Sequence, residues 1–404
     1  MEPFMAKARP DGEEMRFCDK QGNIVLEHAP FLPGSTQPVF GNPEINRGDM
    51  RDVLVASLEP GTIQWGYKLT HVSESTIHPG RHIAHFTNRK AVEADLIVGA
   101  DGAWSKTRTF LTNLKPLYTG LTYARNSIVN PWQVVPESMK YAGQGICFFF
   151  SGDGKVNAHL QVSSSEEATL NVSVLAPDSF FHHGGFFGPD VAADPTRAKA
   201  ALRQVLDGFA PVLTDTIEHL SGEFWSGGLY SMPEDVAWTT KAGVTLIGDA
   251  VHCTSPHAGE GCNTGMVDAL ELAHFLLAFP HPHPHPHPHP PTSTSTSTSP
   301  SGAFASYLRT AQPTLESALI YRAQTLIKLS MGNTRRLFTN PDFEDAMQHV
   351  RARLERTLRS QDMATCATAS ADAASRETSK QTQTGVVVAE AGAKGELPPR
   401  TVAV

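Results

Sequence analysis

The chain is short of cysteine, of clustered positive charge and of long apolar runs, and each shortage removes a class of protein. Its five cysteines, Cys18, Cys147, Cys253, Cys262 and Cys366, are scattered, odd in number and never spaced C-x-x-C. Neither a disulfide framework nor a zinc site is therefore expected, and a reducing compartment is the simplest assumption. No block of consecutive Lys and Arg interrupts a formal net charge of −8, which argues against nucleic acid or an anionic membrane as partner. No stretch approaches ~18 consecutive apolar residues, so no membrane span is expected. The opening MEPFMAKARPDGEE lacks an apolar core of signal-peptide length, and the expected compartment is cytoplasmic. What the chain does have is length and apolar content, 404 residues at 40%, enough for two ordinary domains with real cores.

Texture changes divide the chain. From 44 to 58, Met50, Val53, Leu54 and Leu58 fall on a helical stripe, with Asp49 near its start where the helix dipole favours an anion. From 63 to 100 the pattern is strand-like and ends in DLIVGA, an apolar run suited to a strand buried on both faces, followed by a DG turn. Between 118 and 236 ICFFF, VNAHLQVSS and ATLNVSVLA read as strands, broken by the helix-like RAKAALRQVLDGFAPVL. VTLIG at 244–248 returns to buried-strand texture. A helix is expected from about 264 to 279, with Met266, Ala269, Leu270, Ala273, Leu276 and Leu277 on its apolar stripe and Asn263 as cap. At 280 the sequence becomes PHPHPHPHPHPPTSTSTSTSPSG, where proline excludes helix and the Ser/Thr repeat has nothing to bury. Its five histidines, His281 to His289, read as part of a linker and not as a metal site. Helices are expected from Phe304 to Phe338, kinked at Pro313, and through Phe343, Met347, Val350, Leu354 and Leu358, before a disordered polar tail from 362.

The stretch VTLIGDAVHCTSPHAGEGCNTG, 244–265, carries the chemistry. An aspartate at the carboxyl end of a parallel strand sits where open α/β sheets bind ligands, and its carboxylate suits a pair of sugar-type hydroxyls. Asp249 has that place. Beyond it GEGCNTG reads G-x-G-x-x-x-G into a helix. Glycines let a ligand approach the main chain, and a helix N-terminus offers unpaired N–H groups to negative charge. Taken alone, the pattern is equally compatible with a structural turn.

IVGADGAWSKTR at 97–108, IGDAVHCTSPHAGEGCN at 247–263 and PEINRGDMRDVL at 43–54, taken together, resemble the class A FAD-dependent monooxygenases, and within them the tetracycline-inactivating branch. The resemblance covers roughly residues 20–280. It implies an α/β fold: an incomplete Rossmann-like FAD-binding domain from 1–117 and 237–279, an inserted β-rich substrate domain at 118–236, a low-complexity linker at 280–302, C-terminal helices at 303–361 and a tail at 362–404. It further implies FAD as cofactor, NADPH or NADH as electron donor, and O2 with a small organic substrate, aromatic or polyketide-like, as reactants. Residue by residue, Arg47 matches the arginine that contacts the flavin, with Met50 and Leu54 behind it. Asp101 and Gly102, with Ser105 and Arg108, match a motif connected with both FAD and the nicotinamide donor, and an architectural turn explains them almost as well. Asp249 matches the aspartate on the ribityl chain, and Pro256 the proline near the isoalloxazine ring. Gly259, Glu260, Gly261, Cys262 and Asn263 match the loop along the flavin. His252 and His257 read as packed or surface residues, and Cys253 and Cys262 as space-fillers. No catalytic acid or base is required, because the cofactor carries the chemistry. Phe148, Phe149, Phe150 and Trp225 are candidates for the substrate pocket.

One element of the family is missing. Members open with a strand, a G-x-G-x-x-G turn and a helix for the FAD pyrophosphate. Before Arg47 this chain has only Gly12, Gly22, Gly34 and Gly41, never in that spacing. The sheet is then expected to lose its central strand, leaving DLIVGA and VTLIG without a neighbour. The alternative to an active monooxygenase is accordingly a remnant that binds FAD weakly or not at all.

Overall fold

The computed structural model describes residues 2–28, 43–280, 300–339, 344–356 and 401–403. Most of the histidine-rich insert and of the polar tail lies outside this range. The chain forms two compact units, one of residues 1–60, 120–228 and 335–392, the other of 61–119, 229–334 and 393–404. The expected first segment, 1–117, thus divides at Pro60: its opening residues group with the β-rich part.

The first unit is built on a seven-stranded sheet. In chain order its strands are β1 (Met15–Cys18), β2 (Ile24–His28), β7 (Leu117–Val129), β8 (Ile146–Phe150), β9 (Val156–Val162), β10 (Glu167–Leu175) and β11 (Ser221–Ser231), and across the sheet they run β11-β7-β10-β9-β8-β1-β2. ICFFF, VNAHLQV and EATLNVSVL form strands as their alternation requires. Ala168, Leu170, Val172 and Val174 of β10 point into one core, while the alternate Thr169 and Ser173 are also buried, so this strand is covered on both faces. RAKAALRQVLDGFAPVL yields two helices, Pro195–Val205 and Pro211–Glu218. Asp194 caps the first by accepting from the Thr196 and Arg197 amides. Ala198, Ala201, Leu202, Leu213 and Ile217 join Met139 and Ala142 against the sheet. β1 joins this sheet by parallel pairing with β8, and the buried Cys18 and Cys147 sulfurs lie 3.5 Å apart as free thiols. The helix at 344–356 closes the far end, where Ala346 and Met347 pack with Phe17 and Phe150.

The second unit holds a three-stranded antiparallel sheet, β3 (Leu69–Glu74), β4 (His82–Phe86) and β5 (Ala91–Ala94), and a parallel one built on β6 (Leu96–Gly99) and β12 (Val244–Leu246). Leu96, Ile97 and Val98 are at most 2% exposed, as the DLIVGA run predicts. The expectation that β6 and β12 lack neighbours is corrected. β6 pairs with β12 on one side and with β13 (Thr401–Ala403) on the other, both parallel. A buried strand with a free edge leaves a row of N–H and C=O groups unpaired, and a short extended segment satisfies them without needing any particular side chains. The tail expected to be disordered therefore ends in a strand. Behind β12 runs the helix Pro300–Phe338, unbroken through Pro313, and Phe304, Leu308, Leu315 and Leu319 pack with Leu96, Val98, Leu272 and Phe279.

Candidate functional site

β6 and β12 are in register, with Leu246 opposite Gly99, so the segments carrying Asp101 and Asp249 leave from the same sheet edge. Gly99 is obligatory there: a Cβ would stand 2.6 Å from that of Thr107 and 2.7 Å from the Leu246 side chain. The two aspartates then differ. Asp101 is consumed by its own loop, its carboxylate accepting from Ser105 Oγ at 2.5 Å and from the Lys106 and Thr107 amides at 2.7 and 3.1 Å. Asp249 is exposed and makes no hydrogen bond or ion pair among the described residues. Arg108, only 3% exposed, ties the two segments together by donating to the carbonyls of Ala250 at 2.8 Å, Ala103 at 2.6 Å and Leu114 at 3.3 Å. Burial with no carboxylate at hydrogen-bonding distance pulls its pKa down.

Around Asp249 the chain is bare. Gly248 (φ +61) and Gly259 (φ +74) adopt backbone that L side chains avoid, and a Cβ at Gly248, Gly259 or Gly261 would meet nothing within 4 Å. The helix Gly261–Leu277 starts three residues earlier than expected, placing Gly261, Cys262 and Asn263 in its first turn. Its first amides have no partner within the helix, and no side chain caps them. Asn263 is not the cap; Glu260 holds that position, and the Asn263 amide donates to the Glu260 carboxylate at 3.4 Å. Pro256 opens a short 3-10 turn, Pro256–Ala258, and is exposed. A free carboxylate beside an open glycine rim and a bare helix start fits the ribityl and ring end of FAD, and no described segment supplies the spaced glycines for its pyrophosphate. Beyond Gly102, Trp104 is 58% exposed and meets Tyr230 edge-on at 5.0 Å, with Tyr118 at 5.7 Å from the same ring. Nothing in the sequence pattern groups these three rings.

The turn at 255–257 is pinned from the helix Pro300–Phe338. Ser255 Oγ bonds Ser330 Oγ at 2.8 Å and Thr334 Oγ1 at 2.6 Å, Asn333 donates to the His257 carbonyl at 2.9 Å, and His257 Nδ1 lies 2.8 Å from Thr334 Oγ1. Because Thr334 gives its own proton to the Ser330 carbonyl, it accepts from the ring, which assigns the His257 proton to Nδ1. Burial lowers the His257 pKa from 6.5 to about 4. The unfolded chain therefore binds the extra proton first. The stabilisation is complete above pH 6.5 and is lost as pH falls towards about 4. Partial exposure of the ring limits it to about 2 kcal/mol. His257→Gln should flatten the fall in melting temperature over that window, as measured by calorimetry.

Asp268 was also missed. It lies in the middle of an apolar helix, fully buried, and accepts from the Gly248 amide at 3.0 Å, from His252 Nε2 at 2.8 Å and from Arg322 Nη1 at 2.5 Å. Burial raises its pKa, but these three donors outweigh that and hold the carboxyl below its ordinary range. The available signal was an acid interrupting the stripe. That stripe is itself corrected: Met266, Leu270 and Leu277 are 39%, 56% and 69% exposed, and the helix buries Asp268 and Leu272. His252 is buried and His257 half-buried, which agrees with the packed reading of both.

Arg47 belongs to the other unit. It begins the helix Arg47–Ala56, is exposed, and has no polar partner among the described residues; Met50 behind it is half-buried and Leu54 is 52% exposed. The pocket candidates separate in that same unit. Phe149 and Phe150 are buried core, Phe148 stacks on Phe17 at 5.2 Å, and Trp225 is 64% exposed.

The parallel strand pair and the rim of small residues at its carboxyl edge form the kind of edge at which open α/β sheets bind ligands. A family model described as an FAD binding domain matches residues 230–281, which contain Asp249 and the whole glycine loop. The monooxygenase penA of Penicillium thymicola is 27% identical over 302 residues, spanning 65% of this chain and 67% of that protein. The HpxO protein of Klebsiella pneumoniae, solved with FAD and uric acid, superposes with a TM-score of 0.62 at 18% identity, over 88% of this chain and 78% of its own. The tetracycline destructase Tet(51) gives 0.55 at 18%, over 90% and 82%. By sequence the chain is similar to flavin-dependent monooxygenases and by fold to FAD-containing ones, the kind its three motifs resemble.

Proposed function

We propose that the chain is an FAD-dependent monooxygenase that uses NADPH or NADH and O2 to hydroxylate a small planar organic substrate. The observation that carries this reading is the exposed, unengaged carboxylate of Asp249 on a rim where Gly248, Gly259 and Gly261 leave the backbone open. Asp249 would accept hydrogen bonds from the ribityl hydroxyls. The first-turn amides of Gly261, Cys262 and Asn263 would face the ring's carbonyl edge, with Glu260 and Gly259 carrying the chain past it and Pro256 bounding it. Asp101 and Gly102 shape the neighbouring loop, and Arg47 is kept as a flavin contact on its motif match alone. Bound FAD, once reduced, supplies the activation of oxygen, while the protein contributes orientation and exclusion of water. Trp104, Tyr118 and Tyr230 offer ring faces for a planar ligand, as uric acid is in the structure of HpxO. A cytoplasmic setting suits the free thiols of Cys18, Cys147, Cys253 and Cys262.

The test is the visible absorption spectrum of purified residues 1–404 with and without added FAD, followed by NADPH and NADH oxidation in air. A bound-flavin spectrum with donor oxidation is expected. A colourless protein that FAD does not reconstitute overturns the proposal.

A further inference from the structure

The Asp268 carboxylate sits under the turn that delivers Asp249. One oxygen takes both the Gly248 amide and His252 Nε2, the other takes Arg322, and Arg322 is held in turn by Glu271 at 2.5 Å. Stability alone does not account for such a network. Taking a carboxylate and a guanidinium out of water costs several kcal/mol, and well-packed apolar side chains of similar volume do as well or better. What the charged arrangement supplies is a fixed acceptor for one backbone amide. That amide belongs to Gly248, whose φ of +61 and ψ of −144 are not held by local preference. The direction of the next Cα–Cβ bond, that of Asp249, follows from those two angles together with the φ of Asp249 itself.

We propose that Asp268 is a positioning residue: by holding the Gly248 amide it sets the direction in which Asp249 presents its carboxylate to the flavin. This rests on the flavin-binding reading above and adds to it a residue that does not itself touch the cofactor. His252 serves the same end, closing the turn from its far side through the shared oxygen. Its Nδ1 is buried with no hydrogen-bond partner among the described residues, so its side chain holds the turn through Nε2, beside the bond from its own amide to the Gly248 carbonyl at 3.0 Å.

Two double variants separate positioning from charge and from packing. Asp268→Asn with Arg322→Gln is neutral, and its amide oxygen still accepts from Gly248 and His252. Asp268→Leu with Arg322→Met has similar volume and no acceptor. FAD titration, melting temperature and hydrogen exchange of the peptide spanning 247–253 in flavin-free protein are read for each. The Asn/Gln pair should keep FAD affinity within about threefold and keep the exchange protection. The Leu/Met pair should lose about tenfold or more in affinity, with fast exchange at 248–252, even where its melting temperature is unchanged. Wild-type affinity and protection in the Leu/Met pair, or loss in the Asn/Gln pair equal to that in the apolar one, overturn the inference. Should the apolar pair not fold, the Asn/Gln pair decides alone: retention supports the role and loss removes it. A wild-type chain that takes up no FAD defeats the proposed function, whereas the exchange comparison still shows whether Asp268 sets the turn.

Discussion

Asp249→Ala weakens FAD binding by about tenfold to a hundredfold, while Asp101→Ala changes it by less than about threefold and lowers the melting temperature instead. Both aspartates follow a buried parallel strand and both match a family motif, so sequence alone makes them look equivalent. Their surroundings do not. Asp101 spends its carboxylate on Ser105 and the Lys106 and Thr107 amides, and a group so engaged has little left for a ligand. Its loss leaves the Lys106 and Thr107 amides, just before the helix Arg108–Leu111, without an acceptor, an effect on folding. Asp249 is exposed with nothing bound, so its removal costs the folded chain little. Charge-assisted hydrogen bonds to sugar-type hydroxyls are worth about 1.5–3 kcal/mol, which sets the expected range. The measurement is FAD titration of both variants by flavin fluorescence, paired with thermal melts. Equal loss of affinity in the two would remove Asp249 as the primary contact.

The sequence made legible those parts that depend on local pattern. Buried strands β6 and β12 read directly as DLIVGA and VTLIG, because a strand covered on both faces has to be apolar throughout. The strand–loop–helix order around Asp249 followed from glycine and proline placement. What was illegible depends on long-range partners. Asp268 reads as an odd acid among apolar residues, and only folding brings Gly248, His252 and Arg322 onto it. The stripe Met266, Leu270 and Leu277 has the period of a buried face, yet period reports which residues share a side and not which side is covered. Strand β13 was invisible for a related reason: edge pairing is made by backbone groups and leaves almost no trace in side-chain choice. The parallel pairing of β1 with β8 likewise moved residues 1–60 to the β-rich unit, although nothing in MRFC or IVLEH names its neighbour.

Arg108→Ala destabilises the second unit by about 3 kcal/mol, and Arg108→Lys recovers little of it. The guanidinium closes three carbonyls that come from separate places, Ala103 in the loop after Asp101, Leu114 beyond it and Ala250 in the turn after Asp249. Alanine leaves one buried and two part-buried acceptors without this donor, at about 1 kcal/mol each, and opens a void where the aliphatic stem packed. One effect opposes this. The charge is buried with no carboxylate at hydrogen-bonding distance, which pulls the pKa of Arg108 down, so deleting it relieves a desolvation cost. Three lost acceptors and a cavity outweigh that relief, since the cation already satisfies its donors through carbonyl dipoles. Lysine tests the geometry. Its ammonium carries the same charge, but as a point it does not span carbonyls that a planar fork reaches from different sides. Urea unfolding followed by circular dichroism, with the slope unchanged, reports the difference through the midpoint. A lysine variant within about 0.5 kcal/mol of wild type would show that charge, and not the fork, ties the Asp101 loop to the Asp249 turn.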